Sequence, residues 1–220
     1  MQKPEYAKYI DHTVLKSTTT QETVKRFCQE AKQYHFASVC VNPTHVAMVH
    51  KELEGSGVKT CCVIGFPLGA TTTLVKTVET AEAVKNGAEE VDMVINIGAL
   101  KDGRVEFVYE DILAVVQAAK PHALVKVIIE SSDLTNEEIV TACKLAQKAG
   151  ADFVKTSSGF GTGGATVEAV NLMKQTVGDS MLIKASTGIN DRDICEKMLE
   201  VGAVRMGTSK GMLIVDGKPA

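Results

Sequence analysis

Residues 151–161 have the sequence Ala-Asp-Phe-Val-Lys-Thr-Ser-Ser-Gly-Phe-Gly, which predicts a short strand that runs into a loop of hydroxyls and glycines. Phe153 and Val154 lie at the centre of the predicted strand, and Lys155 follows them directly. An ammonium group in an apolar interior loses much of its hydration energy, so it acquires a partner or a shifted pKa. A lysine in this position therefore indicates a site where its charge or its amine is used.

The same pattern recurs along the chain as short apolar or β-branched runs separated by helical patterns. Eight runs are predicted to be strands, at residues 9–13, 37–41, 60–65, 90–96, 124–130, 151–156, 181–185 and 204–207. The helical patterns place apolar residues at steps of three and four, for example Val24, Phe27, Cys28 and Ala31, or Leu74, Val78, Ala81 and Val84. Eight strands alternating with helices predict an α/β fold, a single-domain (β/α)8 TIM barrel over residues 1–220, with a doubly wound open sheet as the alternative.

Helix starts are predicted from residues that cap backbone N–H groups. Thr135 with Glu138, and Thr19 with Glu22, fit the spacing of a capping box. Asn190 is predicted to cap the helix that follows the seventh strand.

Composition and charge exclude several classes of function. The net charge is -3 and no basic run is present, so nucleic acid is not an expected partner. No apolar run approaches the roughly 20 residues of a membrane span, and the amino terminus lacks the apolar stretch of a signal peptide, so a cytoplasmic location without membrane contact is expected. The six cysteines lack C-x-x-C spacing, which predicts reduced, mostly buried thiols rather than a zinc site.

Active sites of such barrels lie at the carboxyl ends of the strands, where residues for chemistry are expected. Four charged residues lie on consecutive predicted strands: Asp92, Lys126, Lys155 and Lys184. Alternation along each strand allows all four side chains to face the interior, about 5 Å apart from one strand to the next. The alternative is that the lysines point outward between helices or form structural ion pairs.

Neighbouring lysines in a partly buried site have a chemical consequence, because one ammonium lowers the pKa of the next. A lysine whose pKa falls from about 10.4 toward 7 is a free amine at neutral pH and attacks a carbonyl carbon. The resulting protonated imine withdraws electrons, so an adjacent C–C bond can break or form. No metal-ligand spacing and no nucleotide-binding fingerprint is found, so neither a metal nor another cofactor is expected.

The loops after the last three predicted strands are rich in Gly, Ser and Thr. Their N–H groups and hydroxyls suit a phosphate dianion, and loops at this end of a barrel commonly bind phosphate. Ordinary turn chemistry also favours these residues, which is the alternative interpretation. Elsewhere, Asp11 is expected to organise hydrogen bonds, and Cys40 to line the pocket or fill the core. His12 is either a base or, as is commoner for a lone histidine, a structural residue.

Seven motifs between residues 8 and 211 are long enough to carry a family resemblance. They are residues 9–16 (Tyr-Ile-Asp-His-Thr-Val-Leu-Lys), 39–43 (Val-Cys-Val-Asn-Pro), 63–72 (Val-Ile-Gly-Phe-Pro-Leu-Gly-Ala-Thr-Thr), 90–98 (Glu-Val-Asp-Met-Val-Ile-Asn-Ile-Gly), 125–130 (Val-Lys-Val-Ile-Ile-Glu), 153–158 (Phe-Val-Lys-Thr-Ser-Ser) and 183–186 (Ile-Lys-Ala-Ser). In this order they resemble the deoxyribose-phosphate aldolases. The resemblance implies a class I aldolase, commonly a homodimer or homotetramer, which interconverts 2-deoxy-D-ribose 5-phosphate with D-glyceraldehyde 3-phosphate and acetaldehyde.

The resemblance also implies a role for each site residue. Lys155 matches the lysine that forms the Schiff base, Lys184 the second lysine that perturbs it, and Asp92 the aspartate of the proton relay. Pocket residues would be Asp11, Cys40 and Lys126, and phosphate contacts would come from Ser158, Gly159, Gly188, Gly207 and Ser209.

Some positions depart from the family pattern. Thr187 and Lys210 stand where a glycine and a small residue are common, which bears on phosphate affinity. No tyrosine follows Tyr109, so proton transfer at the acetaldehyde carbon is expected to use Asp92, Lys184 and water. Two other functions stay open, a transaldolase-like Schiff-base enzyme and a non-catalytic barrel that binds sugar phosphates.

Overall fold

The computed structural model describes residues 6–218 and shows a closed barrel of eight parallel strands. Each strand pairs with the next in sequence, and the last pairs with the first. The strands, β1–β8, are Ile10–Thr13, Ser38–Val41, Lys59–Ile64, Glu90–Val94, Leu124–Ile128, Phe153–Lys155, Leu182–Ser186 and Arg205–Thr208. The predicted (β/α)8 fold is confirmed and the doubly wound sheet is wrong, while the extent of the domain over residues 1–220 stays a prediction.

Helices surround the barrel and connect consecutive strands. The helices, α1–α9, are Gln21–Tyr34, Val46–Leu53, Thr73–Lys85, Ile97–Lys101, Val105–Ala119, Asn136–Lys148, Val167–Val177, Arg192–Glu200 and Gly211–Asp216. Short 3-10 turns lie at Tyr6–Tyr9, Pro43–His45 and Ser131–Asp133. Within residues 6–218, no helix has both the length and the apolar character that a membrane crossing requires.

Strand order agrees with the prediction, whereas several strand ends differ by one or two residues. Strand β4 ends at Val94 rather than Asn96, because the Asn96 side chain caps α4 by accepting a hydrogen bond from the Ala99 N–H at 2.9 Å. Strand β5 ends at Ile128 rather than Glu130, whose backbone has a positive φ of 55° and cannot continue a strand. A helix cap after β4 and a left-handed backbone angle after β5 thus lie at the positions where the apolar pattern predicts the last strand residues.

Two of the helix caps lie one residue beyond their predicted positions. The capping box of Thr135 is present with both of its hydrogen bonds, as predicted. Helix α1 is capped by Thr20 instead of Thr19, and α8 by Asp191 instead of Asn190. Both corrections fall in runs of successive polar residues, where several neighbouring side chains are able to cap a helix.

The main core lies between the outer face of the barrel and the inner faces of the helices. Outward strand residues such as Val91 and Val125 pack in one cluster with Val24 of α1 and Ile112 of α5, and all four are fully buried. Burial of each such side chain contributes about 1.5–3 kcal/mol relative to exposure. The inner face of the barrel is consequently free to carry the polar residues of a site.

Helix α3 turns a different face to the barrel from the one that its apolar pattern predicts. Leu74 and Val78 belong to the predicted stripe, yet they are 71% and 59% exposed. The buried face carries Lys76, whose Nζ donates to the carbonyl oxygen of Val94 at 2.8 Å and pairs with Asp111 Oδ2 at 2.5 Å. The predicted face is wrong: this helix buries a lysine that pairs with α5, and apolar periodicity carries no information about such a partner.

The Lys76–Asp111 pair predicts a large change in stability when its cation is removed. We expect Lys76→Met to lower the free energy of unfolding by about 3–5 kcal/mol, because the buried Asp111 carboxylate loses its countercharge. Urea unfolding monitored by circular dichroism measures the effect. The matched control is Lys85→Met on the exposed side of the same helix, where a change within about 0.5 kcal/mol is expected. Equal losses in both variants would contradict a structural role for the pair.

His12 lies on the outer face of β1, against α1, and does not point into the barrel. Its ring stacks on Phe27 with the ring centroids 4.2 Å apart, and its Nε2 lies 2.7 Å from Glu30 Oε2. Burial lowers the pKa of His12 below its ordinary value, although the contact with Glu30 opposes the shift. These contacts favour the structural interpretation of His12 over its use as a base.

The lowered pKa of His12 predicts a dependence of stability on pH. As the pH falls below the ordinary value of 6.5, the unfolded chain binds a proton that the folded chain resists. Stability therefore falls on acidification, by at most about 1.4 kcal/mol per pH unit from this residue. We expect His12→Gln to show a flatter dependence of the free energy of unfolding than wild type just below pH 6.5. The exposed control His122→Gln should keep the wild-type slope; identical slopes in the two variants would refute the assignment.

Candidate active site

Four charged side chains of β4–β7 meet inside the barrel. In the register of the sheet Asp92 lies beside Lys126, and Lys155 lies beside Lys184. The four side chains are buried, with 0–2% of their surface exposed. The structure therefore places in one interior the residues that strand alternation predicts to converge there.

The carboxylate of Asp92 contacts all three lysines. Its Oδ2 accepts hydrogen bonds from Lys155 Nζ at 2.8 Å and from Lys184 Nζ at 2.7 Å. Its Oδ1 accepts from Lys126 Nζ at 2.9 Å and from the thiol of Cys61 at 3.3 Å. One oxygen atom thus joins Lys155 to Lys184, which is a suitable geometry for passing a proton between the two amines.

Further charges surround this group within the barrel. Asp11 Oδ2 lies 2.5 Å from Lys184 Nζ, and Glu90 Oε2 lies 2.5 Å from Lys126 Nζ. Arg205 links the two carboxylates, since its Nε donates to Asp11 Oδ1 at 2.8 Å and its Nη1 donates to Glu90 Oε1 at 3.1 Å. The interior is therefore a connected network in which each charge has an opposite charge beside it.

Glu90 and Arg205 are functional-site neighbours that the sequence reasoning missed. Each is the first residue of its strand, whereas the residues for chemistry were expected near the carboxyl ends of the strands. The signal was present for Glu90, because it lies two residues before Asp92 and so shares its inward face. Arg205 had a weaker signal, since its strand is only four residues long.

The ion pairs determine the protonation states of the network. Burial raises the pKa of Asp92, but Lys126, Lys155 and Lys184 outweigh it and hold that pKa well below its ordinary value. Burial likewise lowers the pKa of Lys184, but attraction by Asp11 and Asp92 raises it above its ordinary value. The pKa of Lys126 is also raised, because Asp92 and other anionic groups outweigh burial. The expectation that adjacent ammonium groups depress one another's pKa is wrong for Lys126 and Lys184, since carboxylates lie between them.

Cys40 lies inside the barrel next to Cys61, its register partner on β3. The donor atoms of Cys40, Cys61 and Asp92 all lie within 4.8 Å of one another, which brings three metal-ligand types together. Both oxygens of Asp92 are already bound by ammonium groups, and a cation placed there would be repelled by them. The arrangement is therefore poorly suited to a metal ion, in spite of its ligand types.

A cavity of about 360 Å³ lies at the carboxyl ends of β1, β6, β7 and β8. The five predicted phosphate residues all line it: Ser158, Gly159, Gly188, Gly207 and Ser209. The other lining residues are Thr13, Leu15, Lys16, Phe160, Thr187, Ile189, Asn190 and Thr208. The predicted pocket residues Asp11, Cys40 and Lys126 do not line this cavity and are buried in the barrel interior.

The backbone of this cavity offers hydrogen-bond donors to an anion. The amides of Gly159, Gly188 and Ser209 donate to no protein atom among residues 6–218. Ser158 instead donates through its N–H to Glu130 at 3.1 Å. Unsatisfied N–H groups that converge on one cavity are the usual features of a phosphate site.

Glu130 holds the loop after β6 in place, a role that its position at the end of the predicted strand did not reveal. Its carboxylate accepts both the N–H and the hydroxyl of Ser158. Burial raises the pKa of Glu130, and the bonds from Ser158 oppose the shift. A Cβ at Gly161 would lie 2.8 Å from the Glu130 carboxyl carbon, so the loop packs directly on this side chain.

Thr187 brings the loop after β7 against the same cavity. Its φ of 70° lies in the left-handed region, which costs a β-branched residue about 1–3 kcal/mol. A Cβ at Gly164 would lie 2.5 Å from the Thr187 carbonyl oxygen, and a Cβ at Gly159 would lie 3.1 Å from its hydroxyl. The Thr187 hydroxyl thus lies close to Gly159, and both residues line the cavity.

Known proteins resemble this chain over almost its whole length. The family model described as DeoC/LacD family aldolase matches residues 6–215. The deoxyribose-phosphate aldolase of Geobacillus sp. (strain WCH70) is 59% identical over 214 residues, which cover 97% of this chain and 96% of the relative. The deoxyribose-phosphate aldolase of Clostridium tetani (strain Massachusetts / E88) is 58% identical over 212 residues, with 96% and 98% covered.

Solved structures show the same barrel. The tetrameric deoxyribose phosphate aldolase from Aeropyrum pernix superposes with a TM-score of 0.92 at 32% identity, covering 98% of this chain and 92% of that chain. A sialic acid aldolase from Ruminococcus gnavus has a TM-score of 0.66 at 15% identity, covering 96% of this chain and 70% of that chain, which shows likeness of fold alone. The family model and the relatives above agree, and the chain belongs to the DeoC/LacD family of aldolases.

Proposed function

We propose that the protein is a deoxyribose-phosphate aldolase, a lyase that cleaves 2-deoxy-D-ribose 5-phosphate to D-glyceraldehyde 3-phosphate and acetaldehyde and catalyses the reverse addition. The observation that carries this function is the position of Lys155, whose amine shares one oxygen of Asp92 with Lys184. The loop cavity begins three residues after Lys155, at Ser158. Two relatives at 58–59% identity are named deoxyribose-phosphate aldolases, which supports this substrate.

The reaction begins with the open-chain sugar phosphate. Lys155 Nζ attacks the C1 aldehyde, and the carbinolamine loses water to give a protonated imine. The C3 hydroxyl then loses its proton, the C2–C3 bond breaks, and its electron pair moves toward the imine nitrogen. D-Glyceraldehyde 3-phosphate leaves, and the remaining enamine takes a proton at C2. Hydrolysis of the resulting imine releases acetaldehyde and restores the free amine.

Asp92 and Lys184 are the groups that we assign to proton transfer. Attack requires Lys155 without its proton, and Asp92 Oδ2 accepts the hydrogen bond of that amine, with the Nζ and Oδ2 atoms 2.8 Å apart. The same oxygen contacts Lys184, which the neighbouring carboxylates keep protonated, so a proton is present beside the Lys155 amine. Lys184 is therefore suited to protonate the departing hydroxyl of the carbinolamine and the enamine carbon, with water as the carrier where distances require it.

The surrounding residues complete the proposed site. Asp11 forms an ion pair with Lys184, and Lys126 forms one with Asp92. Cys40 lies beside Asp92 in the barrel interior. The phosphate binds in the loop cavity, to amides and hydroxyls of the predicted set, Ser158, Gly159, Gly188, Gly207 and Ser209. The imine supplies the electron sink, so we propose a reaction without a metal or other cofactor.

We also propose a cellular compartment and an oligomeric state for the enzyme. All six cysteines are free and buried, which suits a reducing compartment such as the cytoplasm. A homo-oligomer, a dimer or a tetramer, is proposed because the relative from Aeropyrum pernix is a tetramer.

Chemical trapping tests the role of Lys155 directly. We expect borohydride with acetaldehyde to leave an ethyl group on a peptide that contains Lys155, because reduction fixes the imine at the nucleophile. Mass spectrometry of a digest identifies the site. Lys155→Ala should lose both the label and the cleavage of 2-deoxy-D-ribose 5-phosphate, measured by coupled release of glyceraldehyde 3-phosphate, while the exposed control Lys25→Ala keeps both.

Several outcomes of these assays would overturn the proposal. Ethylation confined to other lysines would remove Lys155 as the nucleophile. Loss of cleavage on treatment with EDTA would indicate a metal-dependent aldolase. Turnover of ketose donors in preference to acetaldehyde would favour a transaldolase-like transferase, and phosphate binding without turnover would favour a sugar-phosphate-binding barrel.

The contact of the Asp92 carboxylate with both Lys155 and Lys184 predicts that this carboxylate is needed for turnover. We expect Asp92→Asn to lower kcat by about 10²–10⁴-fold, because an amide neither accepts the Lys155 proton nor keeps Lys184 in its acidic form. Steady-state kinetics together with circular dichroism separates this loss from unfolding. Asp102→Asn, at an exposed carboxylate, is the control that should retain full kcat. An unchanged kcat in folded Asp92→Asn would exclude the proposed relay.

A further inference from the structure

The loop cavity has many neutral donors and a single charged lining residue. Of the thirteen lining residues, all within the part of the chain that the structure describes, twelve are neutral and the thirteenth is Lys16. A phosphate dianion bound by neutral amides and hydroxyls alone would leave its charge without a cation. Lysine and arginine bind such anions through hydrogen bonds that are stronger than those of neutral donors.

Each positive charge of the barrel interior already contacts a carboxylate. Lys126, Lys155 and Lys184 all contact Asp92, and Lys184 and Arg205 also contact Asp11. None of these groups lines the loop cavity. The phosphate must therefore find its cation on the loops rather than in the lysine network.

The loop after β1 holds the backbone of Lys16 in a defined place at the cavity. The preceding residue, Leu15, packs against the apolar group that contains Cys40 and Val63, and its carbonyl accepts a hydrogen bond from the Asn42 side chain at 3.2 Å. The Lys16 carbonyl accepts the Thr19 N–H at 3.0 Å, which closes a turn. An anchored backbone carrying a long side chain suits recognition of a group that arrives in the cavity.

The charge of Lys16 is available to a ligand. Its side chain is exposed, and it forms no ion pair with any residue between 6 and 218. Lys210 follows Ser209 and is also exposed, but it does not line the cavity. Lys16 thus differs from Lys210 in that it lines the cavity.

We propose that Lys16 is the cationic partner of the substrate phosphate and the residue that makes the enzyme prefer phosphorylated over unphosphorylated aldehydes. The proposal rests on the proposed aldolase function and adds a specificity residue to it. Lys16, on the loop after β1, lines the same cavity as Gly159 and Gly188, which lie on the loops after β6 and β7. The phosphate is then held between one positive side chain and the neutral donors.

Kinetics with a pair of substrates tests this role. For Lys16→Gln we expect the ratio of kcat/KM for 2-deoxy-D-ribose 5-phosphate to kcat/KM for 2-deoxy-D-ribose to fall by about 10–100-fold, the effect of losing one charge-assisted bond. Most of the change should appear in KM for the phosphorylated sugar. Lys16→Arg should restore the ratio to within a few-fold of wild type, and Lys210→Gln should leave it unchanged. An unchanged ratio in Lys16→Gln, or a fall in Lys210→Gln alone, overturns the proposal.

A binding measurement keeps this test separate from the reaction itself. Inorganic phosphate is titrated into the wild type and into each variant by isothermal calorimetry, at low and at high salt. We expect about tenfold weaker binding or more in Lys16→Gln, together with a smaller dependence of affinity on salt. Absence of aldolase turnover in the wild type would remove the proposed function but leave this comparison valid. Equal phosphate affinity in wild type and Lys16→Gln removes Lys16 from the site.

Discussion

One buried carboxylate, that of Asp92, keeps three ammonium groups together in the interior of the barrel. Removing either sign of charge would leave the other buried without compensation, which is strongly unfavourable. The parallel register places Asp92 beside Lys126 and Lys155 beside Lys184, so the strand pairing and the ion network require each other. The chemistry proposed for Lys155 depends on this network, because the same oxygen that balances its charge also connects it to an acid.

The convergence of Asp92, Lys126, Lys155 and Lys184 was predictable because the two-residue period of a strand fixes which side chains share a face. The barrel itself was predictable from the alternation of strands and helices. The direction of the pKa shifts was not, because the period of a strand does not tell how closely Asp11 and Asp92 contact Lys184. The buried face of α3 was missed for a similar reason: the partner of Lys76 lies on another helix.

The loops above the network depend on backbone geometry that is uncommon for their residues. Glu130 and Thr187 both have left-handed backbone angles, and both contact the loops that line the cavity. Such strain persists only where neighbouring contacts determine it, and it concentrates at functional sites. Sequence patterns located this region through its glycines and hydroxyls, whereas the part played by Glu130 depends on its bond to Ser158 across two loops.

The bonds from Arg205 to Asp11 connect positions 194 residues apart in the chain. The first strand therefore carries an anion that gains this cation only after the eighth strand has been made and has docked. A nascent chain that lacks the final strand leaves the Asp11 and Glu90 carboxylates without the hydrogen bonds of this guanidinium, which disfavours a stable partial barrel. Closure of the ring is consequently coupled to completion of this hydrogen-bond network, and the long sequence separation makes closure slow compared with formation of the individual helices.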